Sequence, residues 1–129
     1  MSVPKSERKQ SQQEYVTILQ QVEVYFLDQY AKDNLRIPYL SDKLCDLSIQ
    51  AYNEATRIFE MTIGTVRGTV PDKKKYCKKA IWAIRELASQ INILMIYKMR
   101  EGRSTNELVG ITRKLLKAMN LIQQMLNSL

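Results

Sequence analysis

Apolar residues repeat at intervals of three and four positions through four long segments of this 129-residue chain. Such spacing places them on one face of an α-helix, because the helix turns once about every 3.6 residues. Only four glycines and three prolines occur, too few for the many turns of an all-β fold. The pattern therefore predicts an all-α protein.

The positions of turn-forming residues give approximate bounds for the helices. A flexible basic tail is expected at residues 1–10, and helices are expected at about residues 11–35, 41–63, 72–101 and 104–128. Helices of similar length with short connections pack best as an antiparallel up-down-up-down four-helix bundle around one core. We expect residues 11–129 to form that single domain.

Local motifs predict where each helix begins. Residues 11–14 read Ser-Gln-Gln-Glu and residues 104–107 read Ser-Thr-Asn-Glu. Both match the capping box, in which the serine and glutamate side chains satisfy backbone N–H groups of the first turn. Ser41 is the expected N-cap of the second helix, and Pro71-Asp72 is the expected start of the third.

The helical spacing also predicts which residues face the core. The predicted core residues are Tyr15, Leu19, Val22 and Phe26 in the first helix, with Ile18 and Tyr25 beside them, Leu44, Leu47, Ala51, Ala55, Ile58 and Phe59 in the second, Ala80, Ile84, Leu87, Ile91, Leu94 and the aliphatic stem of Lys98 in the third, and Leu108, Ile111, Leu115, Met119, Ile122 and Leu126 in the fourth.

Several apolar residues fall outside these faces. The main examples are Trp82, Ile93, Tyr97, Val109 and Leu116. A helix that is apolar on more than one side usually has more than one partner. We therefore expect an oligomer or partner interface at these residues, with a homo-oligomer as the leading interpretation. The alternative is a monomer with scattered surface hydrophobic residues.

The net charge of +7 lies in the C-terminal half of the chain. Residues 71–103 carry nine Lys or Arg against three Asp or Glu, and residues 104–129 carry three against one. A localised excess of this kind attracts polyanions. Basic residues in these segments are the candidate nucleic-acid contacts: Lys73, Lys74, Lys75, Lys78, Lys79, Arg85, Arg113, Lys114 and Lys117.

The lysine run at residues 73–79 stands at the start of the third predicted helix. Each exposed cation at this positive end of the helix dipole costs about 0.3–1 kcal/mol. Stability alone does not explain the run, whereas contacts with backbone phosphates do. A solvated end that only improves solubility is the alternative.

Catalytic and metal-binding patterns are missing from the sequence. There is no histidine, and the two cysteines, Cys45 and Cys77, lie too far apart to form a zinc motif. Neither a glycine-rich phosphate loop nor a nucleophile elbow occurs. We expect no enzyme activity, no cofactor and no metal, with both cysteines reduced and buried. The chain lacks an apolar run of membrane-spanning length and a signal peptide, so a cytoplasmic protein is expected.

The chain resembles the four-helix-bundle family of the 23S rRNA intervening-sequence protein, and within it most closely the accessory variability determinant (Avd) of diversity-generating retroelements. The resemblance covers the length, the four helices, the basic third and fourth helices and the missing catalytic residues. It also covers the opening Met1-Ser2-Val3-Pro4-Lys5-Ser6 and a second helix rich in Leu, Ala and Asn, with Leu44, Leu47, Ile49, Ala51, Asn53 and Ala55.

This resemblance implies a homopentameric barrel that binds nucleic acid and the reverse transcriptase of the element. It also implies a role in the mutagenic copying of template RNA into cDNA. The candidate basic residues come from the charge pattern, since the resemblance assigns none of them individually. Two other interpretations stay open: a scaffold bundle that binds a protein partner, and a protein associated with the ribosome or rRNA.

Overall fold

A computed structural model describes the backbone of residues 5–32 and 34–129 and the side chains from Glu14 onward in those ranges. It contains four helices, which are α1 (Lys5–Ala31), α2 (Pro38–Ile63), α3 (Val70–Arg100) and α4 (Asn106–Ser128). Each helix packs against two neighbours, in the closed order α1, α2, α3, α4 and back to α1. The predicted antiparallel four-helix bundle is confirmed. Within the described ranges, no helix is both long enough and apolar enough to cross a bilayer.

The first helix begins earlier than the sequence motif indicates. Because α1 starts at Lys5, the residues from Ser11 to Glu14 lie inside the helix and do not cap it. Between Lys5 and Glu14 there is no glycine or proline, and the lysine, arginine, glutamate and glutamine there favour helix. The capping box predicted at Ser11 is therefore wrong. Of the predicted tail, residues 5–10 are helical and residues 1–4 lie outside the described residues.

The second helix begins at Pro38, three residues before the predicted cap. Proline suits the first helical position, because its missing N–H would have no partner there and its φ angle is already helical. Ser41 is instead a buried residue within α2. The connection before α2 contains Leu35, which is buried in the core. Arg36 follows it with a φ of 61°.

The third helix has a capping box formed by Thr69 and Asp72, which the predicted start at Pro71-Asp72 misses. Thr69 is the N-cap, and its Oγ1 accepts a hydrogen bond from the backbone N–H of Asp72 at 3.2 Å. The Asp72 carboxylate in turn accepts from the backbone N–H of Thr69 at 3.0 Å. These hydrogen bonds lower the pKa of Asp72. Asp72 is thus the third residue of the helix and completes the box, rather than standing at its start.

The capping box predicted for the fourth helix is not formed. Thr105 is the N-cap, without a side-chain hydrogen bond to the helix, and Ser104 Oγ accepts only from the backbone N–H of Asn106. The carboxylate of Glu107 accepts a hydrogen bond from the Tyr25 hydroxyl at 3.0 Å. Because the Glu107 side chain binds Tyr25 of α1, it does not fold back to accept the backbone N–H groups at the start of α4. The same hydrogen bond links α4 to α1.

The connection between α2 and α3 is fixed at both of its ends. Gly64 ends α2 in the left-handed conformation, with a φ of 84°, and its N–H donates to the carbonyl of Glu60. Gly68 lies so close to Met61 that an added Cβ would stand 2.5 Å from the Met61 sulfur. A larger residue at this position would force the Met61 side chain to move. With the Thr69 cap, the connection sets the register of α3 against α2.

The core contains the residues that the helical spacing predicts. Most of them are buried, whereas Tyr25, Phe59, Lys98, Met119 and Leu126 are half-buried at its margin. Cys45 and Cys77 are both free and buried, as expected for reduced cysteines in a core.

Tyr15 brings a polar hydroxyl group into this core. Its side chain is 1% exposed, and its hydroxyl has no hydrogen-bond partner among the described residues. Burial raises the pKa of this hydroxyl. A buried polar group without a partner costs free energy, because it gives up its hydrogen bonds to water and receives none in return.

We predict that Tyr15→Phe raises the free energy of unfolding, by about 1 kcal/mol or more, because it removes the unpaired hydroxyl and keeps the ring. Urea titration followed by circular dichroism measures the change. Tyr25→Phe is the matched control, and it should lower the stability by about 0.5–1.5 kcal/mol, because the Tyr25 hydroxyl donates to Glu107. A loss of stability in Tyr15→Phe would contradict the prediction.

Candidate nucleic-acid interface

The five lysines at residues 73–79, hereafter the lysine cluster, occupy the first turns of α3. Lys74, Lys75, Lys78 and Lys79 are exposed, and Lys73 is half-buried. The helical repeat turns Cys77 into the core between them. The amphipathic pattern of α3 thereby anchors the helix by an apolar residue and leaves the ammonium groups on the surface.

These lysines form no ion pair in the described part of the chain. The ion pairs found there join Lys32 to Asp28, Arg103 to Glu101 and Lys117 to Glu14. Asp72 of the Thr69 cap interacts electrostatically with Lys75, so one carboxylate offsets part of the positive charge. The other lysines of the cluster keep their charge without an ion-pair partner among the described residues.

Arg57 of α2 joins the lysine cluster through Tyr76. Its Nη1 donates a hydrogen bond of 2.9 Å to the Tyr76 hydroxyl, and its guanidinium carbon lies 4.8 Å from the centre of the Tyr76 ring. The Nζ atoms of Lys75 and Lys79 lie 5.7 and 5.4 Å from the same ring centre. We call Arg57, Lys75, Tyr76 and Lys79 the Tyr76 cluster.

Nothing in the charge pattern singles out Arg57, because its segment carries slightly more acidic than basic residues. One positional signal exists, however. Arg57 stands six residues before the end of α2, and Tyr76 stands six residues after the start of α3. Two antiparallel helices joined by a short connection bring such positions to the same level.

The two candidate lysines of α4, Lys114 and Lys117, lie on a different side of the bundle. Lys114 Nζ donates a hydrogen bond of 3.2 Å to the Gln21 side chain, and Lys117 pairs with Glu14. Both partners belong to α1, so these lysines lie along the α1–α4 contact and not beside α3. Arg113 is exposed.

The start of the lysine cluster lies level with the end of α4. Lys73 and Cys77 line a cavity of about 120 Å³ together with Met125 and Leu129. Because α3 and α4 are antiparallel, Lys79 and Arg85 lie progressively closer to the level of Lys117. What separates Lys114 and Lys117 from the lysine cluster is therefore the side of the bundle, because both lysines contact α1.

Arg85 extends the basic surface of α3. It is exposed and follows Lys78 by seven residues, which places it on the same side of the helix about 10 Å further along. The structure thus brings together the lysine cluster, Arg57 and Arg85, and it separates Lys114 and Lys117 from them.

The apolar residues predicted to lie outside the core are all exposed. Trp82 is 52% exposed, and Ile93, Tyr97, Val109 and Leu116 are also accessible. Trp82 and Ile93 are eleven residues apart, close to three full turns, so they lie on the same side of α3. Their exposure is confirmed, whereas their use as an interface stays a prediction.

Residues 5–32 and 34–129 contain no group of three or more Cys, Asp, Glu or His that is arranged to hold a metal ion. Comparisons with protein-family models, with curated proteins and with solved structures found no match to this chain. The fold, the charge distribution and the contacts of the side chains therefore carry the functional argument.

Cys77 lies in the core beside the lysine cluster. The ionisation of its thiol therefore reports whether this part of α3 is buried in the folded protein. Burial raises the pKa of its thiol from 9.0 to about 11. Between these two values the unfolded chain releases the thiol proton while the native protein keeps it. The contribution of Cys77 to stability is therefore complete below about pH 9 and is lost as the pH rises toward 11.

We predict a larger drop in the free energy of unfolding between about pH 8 and about pH 10.5 for the wild type than for Cys77→Ala, which has no thiol to titrate. Urea titrations at the two pH values measure both drops. Other pH-dependent contributions affect both proteins alike, so only the difference between the two drops is informative. Equal drops would show that Cys77 ionises alike in the folded and unfolded states.

Proposed function

We propose that this chain is a non-enzymatic accessory protein that binds nucleic acid through the surface of α3. It associates with the reverse transcriptase of a diversity-generating retroelement and supports mutagenic cDNA synthesis in the cytoplasm. The observation that carries the nucleic-acid part is the lysine cluster, with four exposed ammonium groups and no ion pair among the described residues.

Cations of this kind bind the phosphate backbone by releasing the counterions condensed on it. Phosphate contacts of this type do not depend on base sequence. Both RNA and DNA present such phosphates, so the proposal includes either. Arg57 and Arg85 enlarge the same surface, whereas Lys114 and Lys117 are partly engaged with α1.

The reverse transcriptase and the retroelement enter the proposal through the family resemblance. That resemblance implies a four-helix bundle with a basic third helix, and the chain has both features. The exposed apolar residues on α3 and α4 supply the surface that a homo-oligomer, a homopentamer by the resemblance, or a partner protein requires.

A scaffold protein is the second candidate function, and the exposure of Trp82 and Tyr97 favours it. Aromatic residues are enriched where proteins bind one another. In this case the lysines serve only solubility, and the bundle binds a protein partner without nucleic acid.

We predict that Lys73/Lys74/Lys75→Glu lowers RNA affinity by more than about tenfold in 0.1 M salt, because glutamates repel the phosphates that the lysines attract. It should also reduce the slope of log affinity against log salt, by about 0.7 for each phosphate that the protein no longer neutralises. Fluorescence anisotropy of a labelled single-stranded 20-nucleotide RNA at several KCl concentrations measures both quantities.

Lys32/Lys43/Arg100→Glu is the matched control for that experiment. It lowers the net charge from +7 by the same six units, but its residues lie away from the lysine cluster. Equal losses in the two variants would mean that only the overall charge matters. A wild-type affinity that does not change with salt, or a wild type that retains no RNA, would favour the scaffold function.

We predict that the wild type forms a homo-oligomer and that Trp82→Glu with Ile93→Lys returns it to the monomer mass of 15.1 kDa, because charges on an apolar contact oppose its burial. Light scattering coupled to gel filtration at micromolar concentration measures the mass. Tyr39→Glu, an exposed tyrosine on α2, is the control. A wild-type mass of 15.1 kDa would contradict the prediction.

A further inference from the structure

We propose that the Tyr76 cluster is a phosphate-binding site, in which Tyr76 positions the Arg57 guanidinium on a phosphodiester of the bound nucleic acid. This inference rests on the proposed function and adds a defined contact to it. Arg57 binds the phosphate, Lys75 and Lys79 flank it, and Tyr76 acts as a positioning residue.

Two helices contribute charges to one small region around Tyr76. Arg57 comes from α2, while Lys75 and Lys79 come from successive turns of α3. All three charged groups lie within 6 Å of the centre of the Tyr76 ring. Cations gathered around one ring repel one another, and a bound anion reduces that repulsion.

Tyr76 holds the side chain of Arg57 in place. The Tyr76 ring is half-buried and packs against the core, so it is a fixed support. It holds the guanidinium at two points, by the hydrogen bond to its hydroxyl and by the contact with its ring face. A long side chain fixed in this way loses less conformational freedom when it binds, which favours affinity.

Arg57 keeps most of its N–H donors for a ligand. A guanidinium has five N–H donors, and one of them is spent on Tyr76. Among the described residues, no carboxylate lies within ion-pair distance of Arg57, Lys75 or Lys79. An arginine fork with neighbouring ammonium groups matches the oxygens of a phosphate.

The surroundings favour a phosphate within a chain over an isolated anion. Lys74, Lys78 and Arg85 continue the positive charge along α3 from the Tyr76 cluster. A linear polyanion engages all of these residues at once, whereas a single small anion reaches only the cluster. We therefore assign the site to the backbone of a nucleic acid strand.

The test uses the full chain and a fluorescein-labelled single-stranded 20-nucleotide RNA, with anisotropy measured at several KCl concentrations. Arg57→Gln should lower the association constant about tenfold and reduce the salt slope by about 0.7, the value for one phosphate of a single strand. Arg100→Gln is the charge-matched control on an exposed arginine at the far end of α3, and it should have little effect on either quantity.

Tyr76→Phe and Arg57→Lys keep every cation and remove only the positioning. Both should lower the affinity about threefold to tenfold and leave the salt slope unchanged, because the same number of phosphates is still neutralised. Tyr76→Phe should cost nothing further in an Arg57→Gln background, since the residue it positions is gone. Circular dichroism melting of each variant confirms that the bundle is folded.

The inference is overturned if Arg57→Gln binds as tightly as Arg100→Gln, if Tyr76→Phe binds like the wild type, or if Tyr76→Phe still weakens binding without Arg57. When these results accompany much weaker binding by Lys73/Lys74/Lys75→Glu, the proposed function stands and only the Tyr76 site fails. When the wild type binds no RNA, both proposals fail together.

Discussion

The register between α2 and α3 is the constraint on which the candidate site depends. It is set by a short connection with little freedom, in which Gly64 reverses the chain, Gly68 packs against Met61, and Thr69 caps α3. With both helix ends fixed, Arg57 and Tyr76 come to the same level. A slip of one residue would turn each by about 100° around its helix axis and separate them.

The fold itself was predictable because its cause is local and repeated. Each helix buries a stripe whose spacing is visible in the sequence, and residues such as Leu19, Ala51, Leu87 and Leu115 lie in the core where the spacing predicts. The helix starts were less predictable. Capping motifs compete with other partners, as when Glu107 binds Tyr25 of another helix.

The site was predictable only in part. Exposure of the lysines on α3 follows from the same helical repeat that buries Cys77. The roles of Arg57, Lys114 and Lys117 depend on which helix lies beside each, and a sequence pattern for one helix does not contain that information. The contacts of Lys114 with Gln21 and of Lys117 with Glu14 therefore divide what the charge pattern presents as one surface.

The position of the lysine cluster at the start of α3 has a consequence for the energetics of the whole bundle. There the ammonium groups oppose both one another and the positive end of the helix dipole. The free protein carries this electrostatic penalty, and a bound polyanion relieves it. Folding and nucleic-acid binding are then thermodynamically linked, because a ligand that binds the native state alone also stabilises it. The bundle would be most resistant to unfolding when its basic surface is occupied.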